Sequence, residues 1–328
     1  MSMRTRICSV AALLAVGAAP LLGQTDPTDP SGTGECCLVL LIPVGARSVA
    51  LGGTLTARGT PDAVFRNPAG LAAVTEDAFL VHHSEQEFAS TADAFTLLLT
   101  PGRIGTLGIS YELFDHGDIE TRDANNQATG LLVLRSHLLV VSFARRLGGG
   151  LSAGLNYKLF HDRIDCSGAC LGLEVAGTTH GVDAGIRYQP SWLEALELGA
   201  SLVNAGFGLQ VASAEEADPL PTRIHLGAAY QVLHGLPASD ALALWLSAEL
   251  TDEWREPGDP TPSFGAELGV GEMVFLRAGY VPGEGLGKGG AVGLGVRYQS
   301  LTLGLGKPFT STLDPEAQPF QVTFGVAF

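Results

Sequence analysis

Val322-Thr323-Phe324-Gly325-Val326-Ala327-Phe328 closes the chain, preceded by Phe320-Gln321. Val322, Phe324, Val326 and Phe328 share one parity, and Gln321, Thr323, Gly325 and Ala327 take the other. Successive side chains of a strand point to opposite faces, so this stretch is a strand with one greasy face and one small or polar face. The same division recurs upstream. Val182, Ala184, Ile186 and Tyr188 oppose Gly181, Asp183, Gly185 and Arg187; Ile224, Leu226, Ala228 and Tyr230 oppose Arg223, His225, Gly227 and Gln231; Val292, Leu294, Val296 and Tyr298 oppose Gly293, Gly295 and Arg297. Leu242, Leu244, Leu246 and Leu250 likewise oppose Ser247 and Glu249.

From Asp77 onward the pattern predicts about fourteen such strands, over 77–83, 89–99, 105–113, 134–147, 151–161, 179–188, 194–204, 223–232, 241–250, 262–270, 273–281, 290–298, 301–306 and 320–328. A soluble sandwich and a membrane barrel both bury one face of antiparallel strands. The connections separate them. Short turns such as Gly148-Gly149-Gly150, Gly271-Glu272 and Gln299-Ser300 alternate with long connections at about 114–133, 162–178, 205–222, 251–261, 282–289 and 307–319. That is the asymmetry of an outer-membrane barrel with short periplasmic turns and long outer loops. With Phe328 at the periplasmic end, Phe143, Tyr188, Tyr230, Tyr298 and Trp192 fall at the inner interface, and Tyr111, Tyr157, Tyr280 and Phe309 at the outer one. Two aromatic girdles result.

Composition agrees. Of 328 residues, 46% are apolar and only 16% charged, and 43 are glycine; a soluble domain would carry about 25% charged residues, so lipid must cover much of the surface. A formal charge of −15 disfavours nucleic acid as a partner. Arg4 and Arg6 followed by the apolar run Val10–Leu22 read as a signal peptide over 1–23, and no later stretch is long enough for a spanning helix. The expected destination is the bacterial outer membrane, with outer-membrane lipid as the surrounding partner.

Residues 24–42 form a Pro-, Gly- and Thr-rich leader, and residues 43–76 do not alternate. Thr60-Pro61-Asp62 reads as a capped helical start, and Asn67-Pro68 repeats it. A compact capped element attached to the first strand is expected to fill the lumen as a plug, leaving 77–328 as the barrel. The inward parity offers it partners in Lys158, Asp183, Arg187, Arg223, Glu249, Glu267, Arg277 and Arg297; pairing of these charges with one another is the competing expectation.

Gly45-Ala46-Arg47, Leu51-Gly52-Gly53, Asp62-Ala63 and Asn67-Pro68-Ala69-Gly70-Leu71 resemble the N-terminal signature of the PorV/PorQ family, which is related to FadL-type transporters of hydrophobic compounds. The resemblance implies an all-β, fourteen-stranded barrel with a plug. It also implies a role in type IX secretion, binding secreted protein cargo or secretion-system components at the cell surface, or else passage of a hydrophobic small molecule.

Other motifs compete less well. Gly283–Gly289 lacks the Ser or Thr of a phosphate loop. Cys166 and Cys170, four apart in a long loop, are expected to form a local disulfide, with metal binding through His161, Asp162 or Asp165 as the alternative. Cys36 and Cys37 are adjacent and awkward to pair with each other. His82-His83 and Asp115-His116-Gly117-Asp118 carry catalytic residue types without a catalytic framework, so no enzyme, cofactor or metal is expected. Between the two functions, the long, polar and acidic outer loops, with Leu131, Leu132 and Trp254 as isolated anchors, favour the protein-binding scaffold. A ligand channel would instead need a greasy entrance on the outer side.

Overall fold

The computed structural model describes residues 34–328, apart from 87–89, 103, 170–174, 211–216, 237–240, 284–286 and 311–318. The expected signal peptide and residues 24–33 of the leader lie outside the described residues, as do Cys170 and the acidic pair Glu215-Glu216. Fourteen strands form one closed antiparallel barrel: β1 (Ala78–Glu85), β2 (Thr91–Leu99), β3 (Thr106–Arg122), β4 (Ala128–Gly148), β5 (Leu151–Gly168), β6 (Val175–Tyr188), β7 (Leu196–Gly206), β8 (Arg223–Gln231), β9 (Leu242–Glu253), β10 (Thr261–Val270), β11 (Val274–Val281), β12 (Gly289–Tyr298), β13 (Leu301–Thr310) and β14 (Phe320–Ala327). The terminal segment closes the ring, with Phe324 opposite Val81 and Val326 opposite Phe79. Closure leaves no unpaired edge to face lipid. Among the described residues no helix is long and apolar enough to cross a membrane.

The greasy parity faces outward. Ile109 is 49% exposed, Leu155 58%, Ile186 53% and Leu226 52%. Leaving such side chains in water would forgo roughly 1.5–3 kcal/mol each, so the outside is a lipid-facing wall and the protein belongs in the bacterial outer membrane. The polar parity faces a filled lumen: Asp183, Glu249 and Glu267 are buried together with the plug residues Leu55, Val64, Asn67 and Leu71.

The strand count matches the sequence reading, but four strands run further than the apolar alternation. The expected long loops 114–133 and 162–178 are largely strand, because β3, β4 and β5 continue as a ladder to Arg122, Ala128 and Gly168 and β6 begins at Val175. Their mixed polar sequence hides them, since beyond the bilayer neither face has to be continuously apolar. Charged pairs suit this extension to water: Arg135 Nε lies 3.0 Å from Asp115 Oδ2 across β4 and β3, and Arg163 lies 2.7 Å from Asp165 along β5. Asp123 caps the turn by accepting from the Asn125 and Gln127 amides.

Candidate functional site

The plug enters from the outer mouth and leaves at the periplasmic side. Glu35 of the leader pairs with Arg223 at the outer end of β8, at 2.7 Å. Cys36 and Cys37 are joined to each other by a disulfide, against the expectation from their adjacency; the ring closes with Cys37 in the left-handed region at φ 60°. Cys166 is also disulfide-bonded, and the partner expected for it, Cys170, lies outside the described residues. A 3-10 turn at Leu38–Leu41 then lays Val39 and Leu40 on a buried apolar cluster of Leu138, Val140 and Phe160.

The family-like motif supplies the core of the plug. The Ala46 amide donates to Thr323 Oγ1, opening the short helix α1 (Ala46–Ala50) against β12, β13 and β14. Gly52 and Gly53 follow at φ 62° and 81°, a reversal that residues with a Cβ rarely adopt. Asn67 Oδ1 accepts from the Ala69 amide and so caps the 3-10 turn Pro68–Ala73, as the sequence implies. Thr60 does not cap the turn Pro61–Phe65: its hydroxyl donates to Asp62 Oδ2 and accepts from Arg47 Nη1 at 2.6 Å. A buried guanidinium needing acceptors outcompetes a backbone amide for that oxygen. Gly70 packs beneath the Arg58 carbonyl and Ala63, and Gly45 against His82.

The inward charges divide between both expected uses. Glu267 binds Arg47 and Arg277, each at 2.7 Å. Glu249 takes Arg66 Nε at 2.7 Å and the Thr56 amide at 3.1 Å. Arg187 donates to the Ala57 carbonyl and pairs with Glu197 at 2.7 Å. The contacts to Arg47, Arg66, Thr56 and Ala57 join wall to plug, whereas Glu267–Arg277 and Arg187–Glu197 pair strand to strand within the wall. Lys158 and Asp183, 2.9 Å apart, pair within the wall and brace Asn204, whose amide donates to Asp183 Oδ1. There the wall is irregular: β6 and β7 slip register between Val182 and Ala184, and Asn204 stands at φ 57°. Arg297 remains exposed at the periplasmic rim, beside a cavity of about 410 Å³ that Arg277 and Phe275 also line. Arg58, Arg66, Glu197 and His225 complete this network. Nothing in the spacing marks Arg58 and Arg66, because the plug carries no periodicity, whereas Glu197 and His225 lie on the inward parity of β7 and β8.

Charge in the plug is unevenly balanced. Burial opposes the Arg47 guanidinium, yet Glu267 and Asp62 outweigh it and hold its pKa above the ordinary value. Arg58 is pushed down to about 10, first by burial and then by Arg47, with Glu197 and Glu267 compensating only in part. Its guanidinium lies 3.6 Å above the Trp245 ring.

The expected outer-loop anchors do not share a surface. Leu132 pairs with Ile119 and Cys166 on the inner face of the extension, whereas Leu131 belongs to the opposite parity. Trp254 lines a shallow apolar groove of the outer wall with Leu155, Ile186, Leu202 and Ile224. What the extension does present is a largely apolar inner face, broken only by the row of Ser136 and Asp162. Ile119, Leu132, Leu134 and Ile164 lie above, and Phe114, Leu138, Val140 and Phe160 below, leading into the lumen.

No family model matches the chain, and no curated protein is similar enough in sequence to count as a relative. Solved structures share its architecture. A Pseudomonas aeruginosa FadL homologue is 12% identical with a TM-score of 0.52, covering 87% of this chain and 98% of its own. The P. putida toluene transporter TodX is 14% identical with a TM-score of 0.54, covering 87% and 98%. The CymD monoaromatic hydrocarbon channel is also 14% identical, with a TM-score of 0.54, covering 88% and 97%. The fold is that of the FadL-type barrels. These likenesses show the fold of the FadL-related side of the sequence resemblance and do not show its PorV/PorQ side.

Proposed function

We propose that this barrel passes hydrophobic small molecules across the outer membrane, taking them up at its outer mouth. The observation that carries the reading is the apolar inner face of the β3–β4–β5 extension, which supplies the greasy outer entrance that a ligand channel needs. Ile119 stands 49% exposed there, on the side that leads down to Leu138 and Phe160. The FadL-type fold supports the same reading, as the TodX and CymD barrels are named for toluene and monoaromatic hydrocarbons. The scaffold reading rested on long, acidic outer loops with Leu131, Leu132 and Trp254 as isolated anchors, and the FadL-type fold lends it no support.

The test is uptake of labelled toluene and of a labelled long-chain hydrocarbon by cells that depend on this barrel. Leu132→Asp with Leu134→Asp places two charges on the entrance without touching the membrane belt, and uptake is expected to fall about tenfold, the effect of roughly 1.4 kcal/mol. Unchanged uptake in a folded double variant, with capture of secreted proteins lost, would reject the channel.

A further inference from the structure

The apolar inner face is interrupted once. Phe114, Ser136 and Asp162 stand opposite one another across β3, β4 and β5, and a register shift between Asp115 and Asp118 folds His116 back against the Phe114 ring, 4.6 Å between centroids. Ser136 is buried; its Oγ donates to Asp162 Oδ1 at 2.7 Å and lies 3.0 Å from His116 Nε2.

Proton counting decides what this row can bind. A serine hydroxyl has one proton, and here it goes to Asp162. Toward His116 the Ser136 oxygen must therefore accept, which puts the imidazole proton on Nε2. With the ring neutral, as an imidazole is above about pH 6.5, Nδ1 is an acceptor. Among the described residues neither His116 Nδ1 nor Asp162 Oδ2 has a hydrogen-bond partner. The row thus presents acceptors and no spare donor, in apolar surroundings. The cations on the neighbouring strands, Arg135 and Arg163, belong to the opposite parity and are engaged by Asp115 and Asp165. Deeper in the lumen the next carboxylate is Glu112, buried and without an ion pair among the described residues.

We infer that His116, Ser136 and Asp162 form a subsite for the hydroxyl end of a hydrophobic alcohol or phenol. This rests on the channel reading and names its preferred substrate class. A ligand O–H fills an open acceptor while its apolar body lies on the accessible inner face above the row, along Ile119, Leu132, Leu134 and Ile164. A carboxylate brings acceptors and a negative charge to a site that already has both, and a bare hydrocarbon leaves the acceptors without donors.

Binding of radiolabelled 1-decanol, decanoate and decane to the full barrel in nanodiscs, against empty nanodiscs at pH 7.5, tests this. Decanol is expected to bind about tenfold more tightly than either of the others. Asp162→Ala combined with His116→Phe, which removes both open acceptors, should bring decanol down to the level of decane while leaving decane unchanged. Should that variant fail to assemble, His116→Phe, which keeps the ring stack, is expected to retain the preference over decanoate because Asp162 remains. Decane binding with no advantage for decanol would overturn the subsite and leave the channel standing, and decanoate binding best would overturn it as well. Binding of none of the three above empty nanodiscs would overturn both.

Discussion

Arg47 and Arg58 lie in the same plug, share Glu267, and have opposite balances of burial against compensation. Each leaves one buried nitrogen without a partner among the described residues, but Arg47 lies 2.7 Å from Glu267 and is bound by the Thr60 hydroxyl, whereas the carboxylates of Glu267 and Glu197 come no closer to Arg58 than 3.6 and 3.9 Å. Removing one member of a well-made buried pair costs about 3–5 kcal/mol, and the cost shrinks where the burial of the charge is poorly repaid by its partners. Arg47→Met should therefore lower the temperature at which the barrel shifts to its unfolded gel mobility, and Arg58→Met should leave it nearly unchanged; the reverse order would refute the balance described for the plug. Gly185 gives a second residue-scale expectation. A Cβ there would coincide with the Asn67 side chain, the cap of the Pro68–Ala73 turn, whereas a Cβ at Gly290 would meet nothing closer than 3.9 Å. Gly185→Ala should cost about 1–3 kcal/mol through overpacking and Gly290→Ala close to nothing, read by the same gel shift. The Asn67 cap was legible from Asn-Pro alone. The Arg47 contact with Thr60 was not, since it depends on a glutamate 220 residues away bringing the guanidinium to that place.

At the level of elements, β3 to β5 divide into a membrane part and a water part with different rules. In the membrane part the alternation is enforced by lipid, so it could be read from the sequence to Leu113 and from Leu134. Above it, order comes from the backbone ladder, the cross-strand Arg135–Asp115 pair and the Asp123 turn, and these interactions carry no apolar period. The extension is consequently separable. Replacing residues 117–132 by a short Gly-Ser turn should leave a heat-modifiable barrel, since Phe114 and Ser136 still pair below the cut, and should reduce hydrocarbon uptake. Loss of assembly would show that the extension nucleates the barrel instead of furnishing its entrance. The leader is a second separable element. It crosses the mouth from Arg223 to Leu138, held by the Glu35 pair and by the Cys36 amide donating to Pro219. Arg223→Met loosens that tether, and its expected consequence is a faster uptake or a higher single-channel conductance.

On the scale of the whole molecule, orientation follows from chain direction: the extension and the turn 254–260 lie on one side, and the turns at Gly149 and Ser300 on the other. A membrane-impermeant thiol reagent should label Asn125→Cys and Asp259→Cys in intact cells but not Gly149→Cys or Ser300→Cys. Labelling in the opposite sense would invert the barrel. Deleting residues 45–72 should raise conductance in planar bilayers, because Arg47, Arg66 and Asn67 are what join the lumen wall to its filling.

The period of two in segments such as Gln321–Phe328, together with turns of two or three residues on one side only, determined strand number, closure and compartment without any tertiary information. Those features are local, because a single residue's parity already states whether it meets lipid or lumen. The site is not local. His116, Ser136 and Asp162 come from three strands and meet only because the register of β3, β4 and β5 is set by the barrel and then shifted once beside Asp115. In the same way Glu249 became a ligand for the plug, and not merely an inward charge, only when the closed wall carried it to Arg66 and Thr56. Pairing between distant segments depends on register, and register is decided by closure of the whole ring rather than by any one segment.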